Sequence, residues 1–334
     1  MRTVDHPIGH PTMASAPVAA TVTGAPAASV GIATTDNSPP RLASAFLALV
    51  LIWSTTPLAI QWSADAEVSF VVGLGARMLV GFVILAAVQL ALRRPLPISG
   101  VALHAYLAAG VGIYGAMLTV YWGAQFIPSG WIAIVGGLMP LSTGLLAAFV
   151  LGEDAFSPPR LAGMLLGLAG LVVMFGASGG LGALAPLGLI AAAASNVLHG
   201  LSAVWLKRID HRLPVVTLLT GGIGITLPLY FLTWWLHDGA ALPETWHWRT
   251  AGSILYLGVF GSVIGFLLFY HLLRHMEASR TALVSLLTPL ASIIIGVTVN
   301  DESFGWREGL GTLLILLGLV VYERGHAIPG LRRA

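Results

Sequence analysis

The sequence predicts an all-α membrane protein with ten transmembrane helices, built as two inverted five-helix repeats. The first observation behind this prediction is composition: of 334 residues, 57% are hydrophobic and only 9% are charged, whereas soluble domains carry about 25% charged residues. The second is an internal repeat, and the third is the placement of arginine and lysine along the chain. Cysteine is absent, which excludes disulfides, thiolate metal ligands and a cysteine nucleophile.

Ten apolar segments are candidates for membrane-spanning helices, each of which needs about 20 residues to cross a bilayer. Their approximate bounds are 43–62, 70–92, 101–125, 129–151, 160–177, 186–205, 214–236, 251–273, 280–299 and 309–323. Residues 1–40 differ from all of them, because they contain no apolar run and are rich in Ala, Thr, Pro, Ser and Gly. We therefore expect a disordered N-terminal tail there.

The second half of the chain repeats the first. Three residues recur 149 positions later: Tyr121 as Tyr270, Pro140 as Pro289 and Glu153 as Glu302. After a one-residue deletion, two glycines recur 148 positions later: Gly163 as Gly311 and Gly170 as Gly318. The predicted repeats are residues 42–177 and 186–323. Because each holds five spans, an odd number, the second enters the membrane from the opposite side, as in many secondary transporters with a site at the repeat interface.

Basic residues test the number of spans. With the N-terminus inside, the cytoplasmic loops and ends hold 13 of the 16 Lys and Arg residues, and the outer loops hold only Arg249 and Arg307. The remaining one, Arg77, lies within a span. A strong excess of basic residues on one side is the pattern of cytoplasmic loops. We therefore predict a multi-pass protein of the cell (inner) membrane with both termini in the cytoplasm.

The repeated motif resembles that of a known family. A mid-helix proline, an end of the type Leu-Gly-Glu and a glycine-rich helix occur in LMPLSTGLLAAFVLGEDAF and again in LLTPLASIIIGVTVNDESF followed by GTLLILLGLVV. In the second copy Asn300-Asp301-Glu302 replaces Leu-Gly-Glu. The pattern resembles the EamA-type transporters of the drug/metabolite transporter superfamily. The resemblance implies export or exchange of small metabolites, including amino acids and nucleotide-related compounds.

Arg77 is the charge that lies well inside a predicted span. A central arginine costs about 2.5–3.5 kcal/mol on insertion scales and has to face protein or water. One interpretation is a contact to an anionic group of a substrate, such as a carboxylate. The alternative is a scaffold role, in which the side chain binds backbone carbonyls or extends to the outer interface.

The candidate substrate-binding residues are the polar or amphipathic groups deepest in the predicted spans: Trp53, Thr56, Arg77, Tyr114, Asn196 and His199. Each has to leave lipid to avoid its desolvation cost, so we expect them around one cavity between the fourth and ninth spans. For Asn196 and His199, the alternative is hydrogen bonding between helices. Tyr121, Trp122 and Gln125 lie near the predicted outer edge of the bilayer, where an aromatic belt fits better.

The candidate hinges are three prolines that each lie inside a predicted span: Pro57, Pro140 and Pro289. A helix-interior proline frees the carbonyl four residues earlier, here those of Gly136 and Ser285 for the latter two, and such carbonyls need a partner or a wet cavity. The alternative is a purely structural kink.

His199 is the histidine nearest the midplane, and because histidine titrates near pH 6.5 it is the candidate for proton coupling.

The function that these patterns favour is a secondary transporter that exports a small metabolite, such as an amino acid, by alternating access. Its expected partners are a small-molecule substrate and membrane lipid, with no nucleic acid, cofactor, metal or catalytic residue. No GxxxxGK[ST] phosphate loop occurs, and GVGIYG at 110–115 lies inside a span rather than after a strand. A membrane-embedded enzyme and a passive channel remain the alternatives, and the oligomeric state is not predicted.

Overall fold

The computed structural model describes residues 39–64, 68–152, 157–177, 181–209, 213–275 and 283–324. The predicted tail lies outside the described residues except for Pro39 and Pro40, which already belong to the first helix. Prolines suit the first turn of a helix because its N–H groups have no intrahelical partner. Glu153, the end of the first motif copy, also lies outside the described residues.

The described residues form helices joined by turns and short irregular connections, and among them there is no β-strand. We number the helices in chain order and count an interrupted helix once. They are α1 (Pro39–Trp62), α2 (Phe70–Ala91), α3 (Gly100–Gly123), α4 (Ser129–Leu151), α5 (Pro158–Ala177), α6 (Ala185–Ile209), α7 (Val215–Asp238), α8 (Trp248–Tyr256, Leu257–Ile264 and Gly265–His275), α9 (Leu283–Val299) and α10 (Trp306–Arg324).

Seven of these helices are long and apolar enough to cross a membrane: α1 to α4 and α6 to α8. Two shorter apolar stretches, Pro158–Met174 in α5 and Leu287–Val299 in α9, accompany them. The all-helical class predicted from the sequence is therefore confirmed. A total of ten spans stays a prediction.

Two helices, α3 and α8, change their winding near the middle. Val111–Ala116 in α3 and Leu257–Ile264 in α8 are π-helical, a form that is rare and often found at functional sites. The repeat offset of 149 would carry residues 111–116 onto 260–265, so the two irregular stretches overlap in the aligned repeats. In α3, two carbonyls of the π-helical stretch accept hydrogen bonds from other helices: that of Ile113 from the Tyr230 hydroxyl and that of Ala116 from Ser195 Oγ.

Helix packing follows the alignment of the two repeats, in which α1 to α5 correspond to α6 to α10. Helix α3 packs against α6 and α7, and α8 packs against α1 and α2. Helix α4 contacts α6, and α9 contacts α1. Three helices each pack against their own counterpart: α2 with α7, α4 with α9 and α5 with α10. This is the pattern expected when two five-helix units are related by an approximate two-fold axis.

Glycines let α5 and α10 approach closely. A Cβ atom added at Gly163 would lie 2.6 Å from the carbonyl oxygen of Gly318, and one added at Gly170 would lie 2.6 Å from that of Gly311. The repeat offset of 148 equates Gly163 with Gly311 and Gly170 with Gly318, so the two contacts are reciprocal. Small residues at such sites allow close backbone packing in membranes, where no hydrophobic effect draws helices together.

We expect Gly170→Ala to destabilise the protein, because the new methyl group would force α5 and α10 apart. Overpacking typically costs about 1–3 kcal/mol. Gly176→Ala is the matched control in the same helix, since nothing lies within 4 Å of a Cβ added there. Thermal unfolding of both variants in detergent measures the effect, and equal melting temperatures would contradict the close contact.

Candidate functional site

The guanidinium of Arg77 lies buried between the two halves of the chain. Arg77 belongs to α2 and its residue is only 2% exposed. Its Nε donates a hydrogen bond to Ser262 Oγ at 2.9 Å, and its Nη1 donates one to the Tyr121 hydroxyl at 3.3 Å. Tyr121 comes from α3 and Ser262 from α8, so one residue of each predicted repeat holds this cation.

Two glycines of the π-helical stretch of α8 make room for Arg77. A Cβ added at Gly261 would lie 3.1 Å from Arg77 Nη2, and one added at Gly258 would lie 3.2 Å from the Arg77 carbonyl oxygen. Larger residues at these positions would push α8 away from α2. The local sequence of α8 thus decides how deeply the guanidinium is buried.

Neutral dipoles surround this charge. No carboxylate within the described part of the chain lies within 4 Å of its nitrogens. The hydrogen bonds to Ser262 and Tyr121 occupy only part of the five N–H groups that a guanidinium offers. Because a membrane-buried cation is costly without a partner, this arrangement suits a site that receives a negatively charged group.

A group of tyrosines lies beside Arg77. The rings of Tyr114 and Tyr230 pack edge to face at 5.0 Å, and the Tyr114 hydroxyl is 2.6 Å from Thr233 Oγ1. The Tyr230 hydroxyl donates to the carbonyl of Ile113, which lies in the π-helical stretch of α3. Tyr230 is close enough to interact electrostatically with Arg77, Tyr121 and Tyr114. Aromatic hydroxyls therefore form one wall near the guanidinium.

His199 lies on the α6 side of the same region. Its Nδ1 is 3.2 Å from the carbonyl oxygen of Ser195, one turn earlier. A Cβ added at Gly112 of α3 would lie 3.7 Å from His199 Cδ2 and 2.9 Å from Ser202 Oγ. The imidazole is also near enough to Arg77 for the two groups to interact electrostatically.

Trp53 of α1 lies against α8, about one helical turn from Arg77. A Cβ added at Gly265 would lie 3.0 Å from Trp53 Nε1, and the Trp53 ring is 5.1 Å from that of Phe269. Gly265 follows Gly261 by one helical turn, so the indole lies about one turn, roughly 6 Å along the helix, from the Arg77 level. On the next turn of α1, Thr56 Oγ1 donates to the carbonyl oxygen of Ile52 in its own helix, at 2.8 Å.

Asn196 is placed differently from His199. Its Nδ2 donates to the carbonyl oxygen of Val135 at 2.6 Å, where α4 is interrupted between Gly136 and Met139. The sequence indicates the carbonyl of Gly136, next to Val135, as the one in need of a partner. The contact joins α6 to α4. It fits the alternative stated for Asn196, which is hydrogen bonding between helices.

The three prolines also differ in their effect. Pro57 and Pro289 lie inside continuous helices, whereas Pro140 stands near the start of the second part of the interrupted α4. Ser292, one turn after Pro289, donates its hydroxyl to the Ser54 carbonyl oxygen at 2.7 Å, just before Pro57. The proline-bearing parts of α1 and α9 are therefore in contact.

The structure brings Arg77, Tyr114 and His199 into one neighbourhood, with Trp53 one turn away, and sets Thr56 and Asn196 against backbone carbonyls. Sequence reasoning missed Tyr230 and Ser262. It also assigned Tyr121 to an outer aromatic belt, but that residue is fully buried against Arg77. The repetition of Tyr121 as Tyr270 was a signal that could have drawn attention to it. Trp122, at 38% exposure, does face outward.

Glu302, the acidic end of the second motif copy, connects the halves elsewhere. Its Oε1 accepts hydrogen bonds from Ser129 N at 3.0 Å and Ser129 Oγ at 2.6 Å, and its Oε2 accepts one from Gly130 N at 3.1 Å. These N–H groups begin α4, where a negative charge is favoured. A Cβ added at Gly296 would lie 2.5 Å from Glu302 Oε2, so a larger residue there would displace the carboxylate.

Comparison with known proteins decides the family. Residues 42–176 and 186–323 both match the model of the EamA-like transporter family. The chain belongs to this family. Its curated relatives include proteins named as a transporter, an efflux pump and an exporter. This EamA-like chain is therefore a multi-pass membrane transporter.

Among the relatives of this EamA-like transporter is the uncharacterized transporter YvbV of Bacillus subtilis, 27% identical over 60% of this chain and 67% of the relative. A probable terminal-alkyne amino-acid exporter of Streptantibioticus cattleyicolor is 29% identical over 87% of this chain and 100% of the relative. A probable amino-acid metabolite efflux pump of Escherichia coli is 26% identical over 58% of this chain and 67% of the relative. One crystal structure is similar over 85% of this chain and 96% of the other chain, at 24% sequence identity and a TM-score of 0.59. It supports the fold.

Proposed function

We propose that this EamA-like transporter is a secondary transporter that exports a small metabolite, such as an amino acid, by alternating access. The observation that carries the proposal is the buried guanidinium of Arg77, held by Tyr121 from one half and Ser262 from the other. An arginine with free N–H groups is suited to pair with a carboxylate. The names of the two amino-acid-related relatives favour the same substrate class.

The transport cycle in this proposal depends on two inverted units, residues 42–177 and 186–323, with ten spans in total. The reciprocal helix pairs and the reciprocal glycine contacts of α5 and α10 support it. Rocking of one unit against the other around a fixed central site is the usual mechanism of such transporters. Because Arg77 is nearly sealed from solvent, at 2% exposure, substrate reaches it only after such a movement.

Within the site, Arg77 would bind the substrate carboxylate, and Tyr114, with its neighbours Tyr121 and Tyr230, would border the rest of the molecule. Trp53 would close the site on the α1 side. Thr56 and Asn196 belong to the predicted set, and their bonds to Ile52 O and Val135 O suit a role in shaping the cavity wall.

His199 is the candidate proton carrier. The test is whether His199→Gln abolishes the pH dependence of transport.

The hinges of the proposed movement are Pro57, Pro140 and Pro289, one in each of α1, α4 and α9. A proline removes one backbone hydrogen bond and lowers the resistance of a helix to bending. The interruption of α4 before Pro140 and the contact of α1 with α9 support this role. The proposed orientation has both termini in the cytoplasm of a cell with an inner membrane.

Counterflow in proteoliposomes tests the function. The vesicles, containing purified protein, are loaded with a panel of unlabelled amino acids, and uptake of each labelled amino acid is followed. We expect saturable uptake that is accelerated by the same amino acid inside. Linear uptake that no internal solute accelerates would favour a passive channel, and conversion of the solute without net transfer would favour an enzyme.

A further inference from the structure

A cavity lined by both aromatic and polar side chains lies far from Arg77, where the last turn of α1 meets the first turn of α8. It has a volume of about 420 Å³ and is lined by Gln61, Trp62, His247, Trp248, Arg249 and Thr250. Small-molecule sites commonly have volumes of about 300–1,000 Å³. In the proposed orientation this cavity opens on the outer side of the membrane.

The guanidinium of Arg249 is held in a defined position there. It stacks over the ring of Trp62, with Cζ 4.2 Å from the ring centre. Trp62 is itself fixed, because its Nε1 donates to Asn300 Oδ1 at 3.0 Å. Stacking covers the flat face of a guanidinium and leaves its N–H edge available for a carboxylate in the same plane.

Charge around the cavity makes Arg249 distinctive. No carboxylate belonging to the described ranges lies within 4 Å of its guanidinium. The described segments expected on the outer side carry acidic residues such as Asp238, Glu244 and Asp301. Besides Arg249, these segments have Arg307 as a basic residue. Arg307 lies elsewhere, with Nη1 3.5 Å from the carbonyl oxygen of Gly176 at the end of α5. Among the residues that line the cavity, Arg249 is thus the permanent cation that can pair with an anionic solute.

The cavity lies on the same seam as the central site. Helices α1 and α8 line both, through Trp62 and Arg249 at one level and through Trp53 and Gly265 at the other. Arg249 precedes Gly261, the neighbour of Arg77, by twelve residues, which corresponds to roughly 18 Å along a helix. A solute that leaves Arg77 along this seam passes Arg249.

We propose that this cavity is a second binding site, at the outer end of the path, for the carboxylate of an amino acid with an apolar side chain. Arg249 pairs with the carboxylate and the ring of Trp62 holds the guanidinium in place. Gln61, whose Nε2 donates to Ile127 O at 2.7 Å, forms the side wall. This inference rests on the proposed export of an amino acid, and it adds a place where the solute is held before release.

The absence of cysteine from the chain permits a direct test by labelling. His247→Cys places a thiol on the cavity wall, and Glu244→Cys places one on the same loop outside it. Intact cells are treated with a membrane-impermeant maleimide in the presence of L-leucine or of L-leucinamide, which lacks the carboxylate. We expect L-leucine, but not L-leucinamide, to slow labelling at position 247, and neither to affect position 244.

Arg249→Gln in the His247→Cys background should raise the L-leucine concentration for half protection at least about tenfold, since a charged partner is lost, and Arg249→Lys should raise it less. The proposal is overturned if position 247 is not labelled from outside, if L-leucine gives no protection, or if Arg249→Gln protects as well as the parent. Counterflow distinguishes the two proposals. If amino acids exchange saturably but L-leucine does not protect position 247 from labelling, only the outer site is refuted. If L-leucine protects position 247 but no amino acid exchanges, only the transport function is refuted.

Discussion

Replacing Arg77 by glutamine should weaken substrate binding by about 10- to 100-fold, because a hydrogen bond to a charged group contributes about 1.5–3 kcal/mol and each 1.4 kcal/mol is a factor of ten. The glutamine side chain ends about where Arg77 Nε lies, so it can still bond to Ser262, and helix packing should survive. The half-saturating concentration in counterflow measures the effect. Arg77→Lys should retain part of the affinity, since it keeps the charge but not the planar fork.

Arg307→Gln is the matched control for this prediction, because it removes the same chemical group at an exposed position far along the chain. We expect it to leave the half-saturating concentration unchanged. A purely structural Arg77 would give the opposite pattern: Arg77→Gln would lose expression or melting temperature, and the surviving protein would bind substrate as tightly as the parent.

Replacing Glu302 by alanine should lower stability more than Arg77→Gln or Arg249→Gln does. The carboxylate accepts three hydrogen bonds from Ser129 and Gly130 at the start of α4, and its removal leaves those donors unpaired. Each buried unpaired donor costs about 1–3 kcal/mol. Melting temperature in detergent measures the loss, and Glu302→Gln, which keeps one acceptor oxygen, should fall between the parent and Glu302→Ala.

The control for Glu302 is Glu244→Gln, which changes an exposed carboxylate and should shift the melting temperature little. Equal melting temperatures for Glu302→Ala and Glu244→Gln would show that the contacts at the start of α4 add nothing to stability.

Much of the fold could be predicted from sequence because the signals are physical and strong. Apolar runs near the length of a bilayer marked the helices, and the recurring glycines at positions 163, 170, 311 and 318 marked α5 and α10. Their reciprocal contact could not be foreseen from either helix alone. The interruption of α4 was indicated by Pro140, but it begins three residues earlier, at Gly137, so Asn196 binds the carbonyl of Val135 instead of that of Gly136.

The site was harder to predict because the helix period changes within it. A π-helical turn holds one extra residue and rotates the residues after it by about 100° relative to a regular α-helix. Tyr121 comes after such a stretch in α3 and is buried against Arg77, whereas its closeness to the span end suggested the outer belt. Arg77 and His199 were recognisable as polar groups in apolar surroundings, whereas Tyr230 and Ser262 acquire their role only from the partners that folding brings to them.

Competition in counterflow measures whether Arg77 receives the carboxylate of the transported solute. The amino acid that exchanges fastest is used as the labelled solute, and its amide, equal in side chain but lacking the negative charge, is added as the competitor. We expect the amide to compete at least about tenfold more weakly than the unlabelled amino acid, and Arg77→Gln to narrow this difference in competition. An amide that competes as well as the amino acid, in the parent and the variant alike, would contradict this role of Arg77.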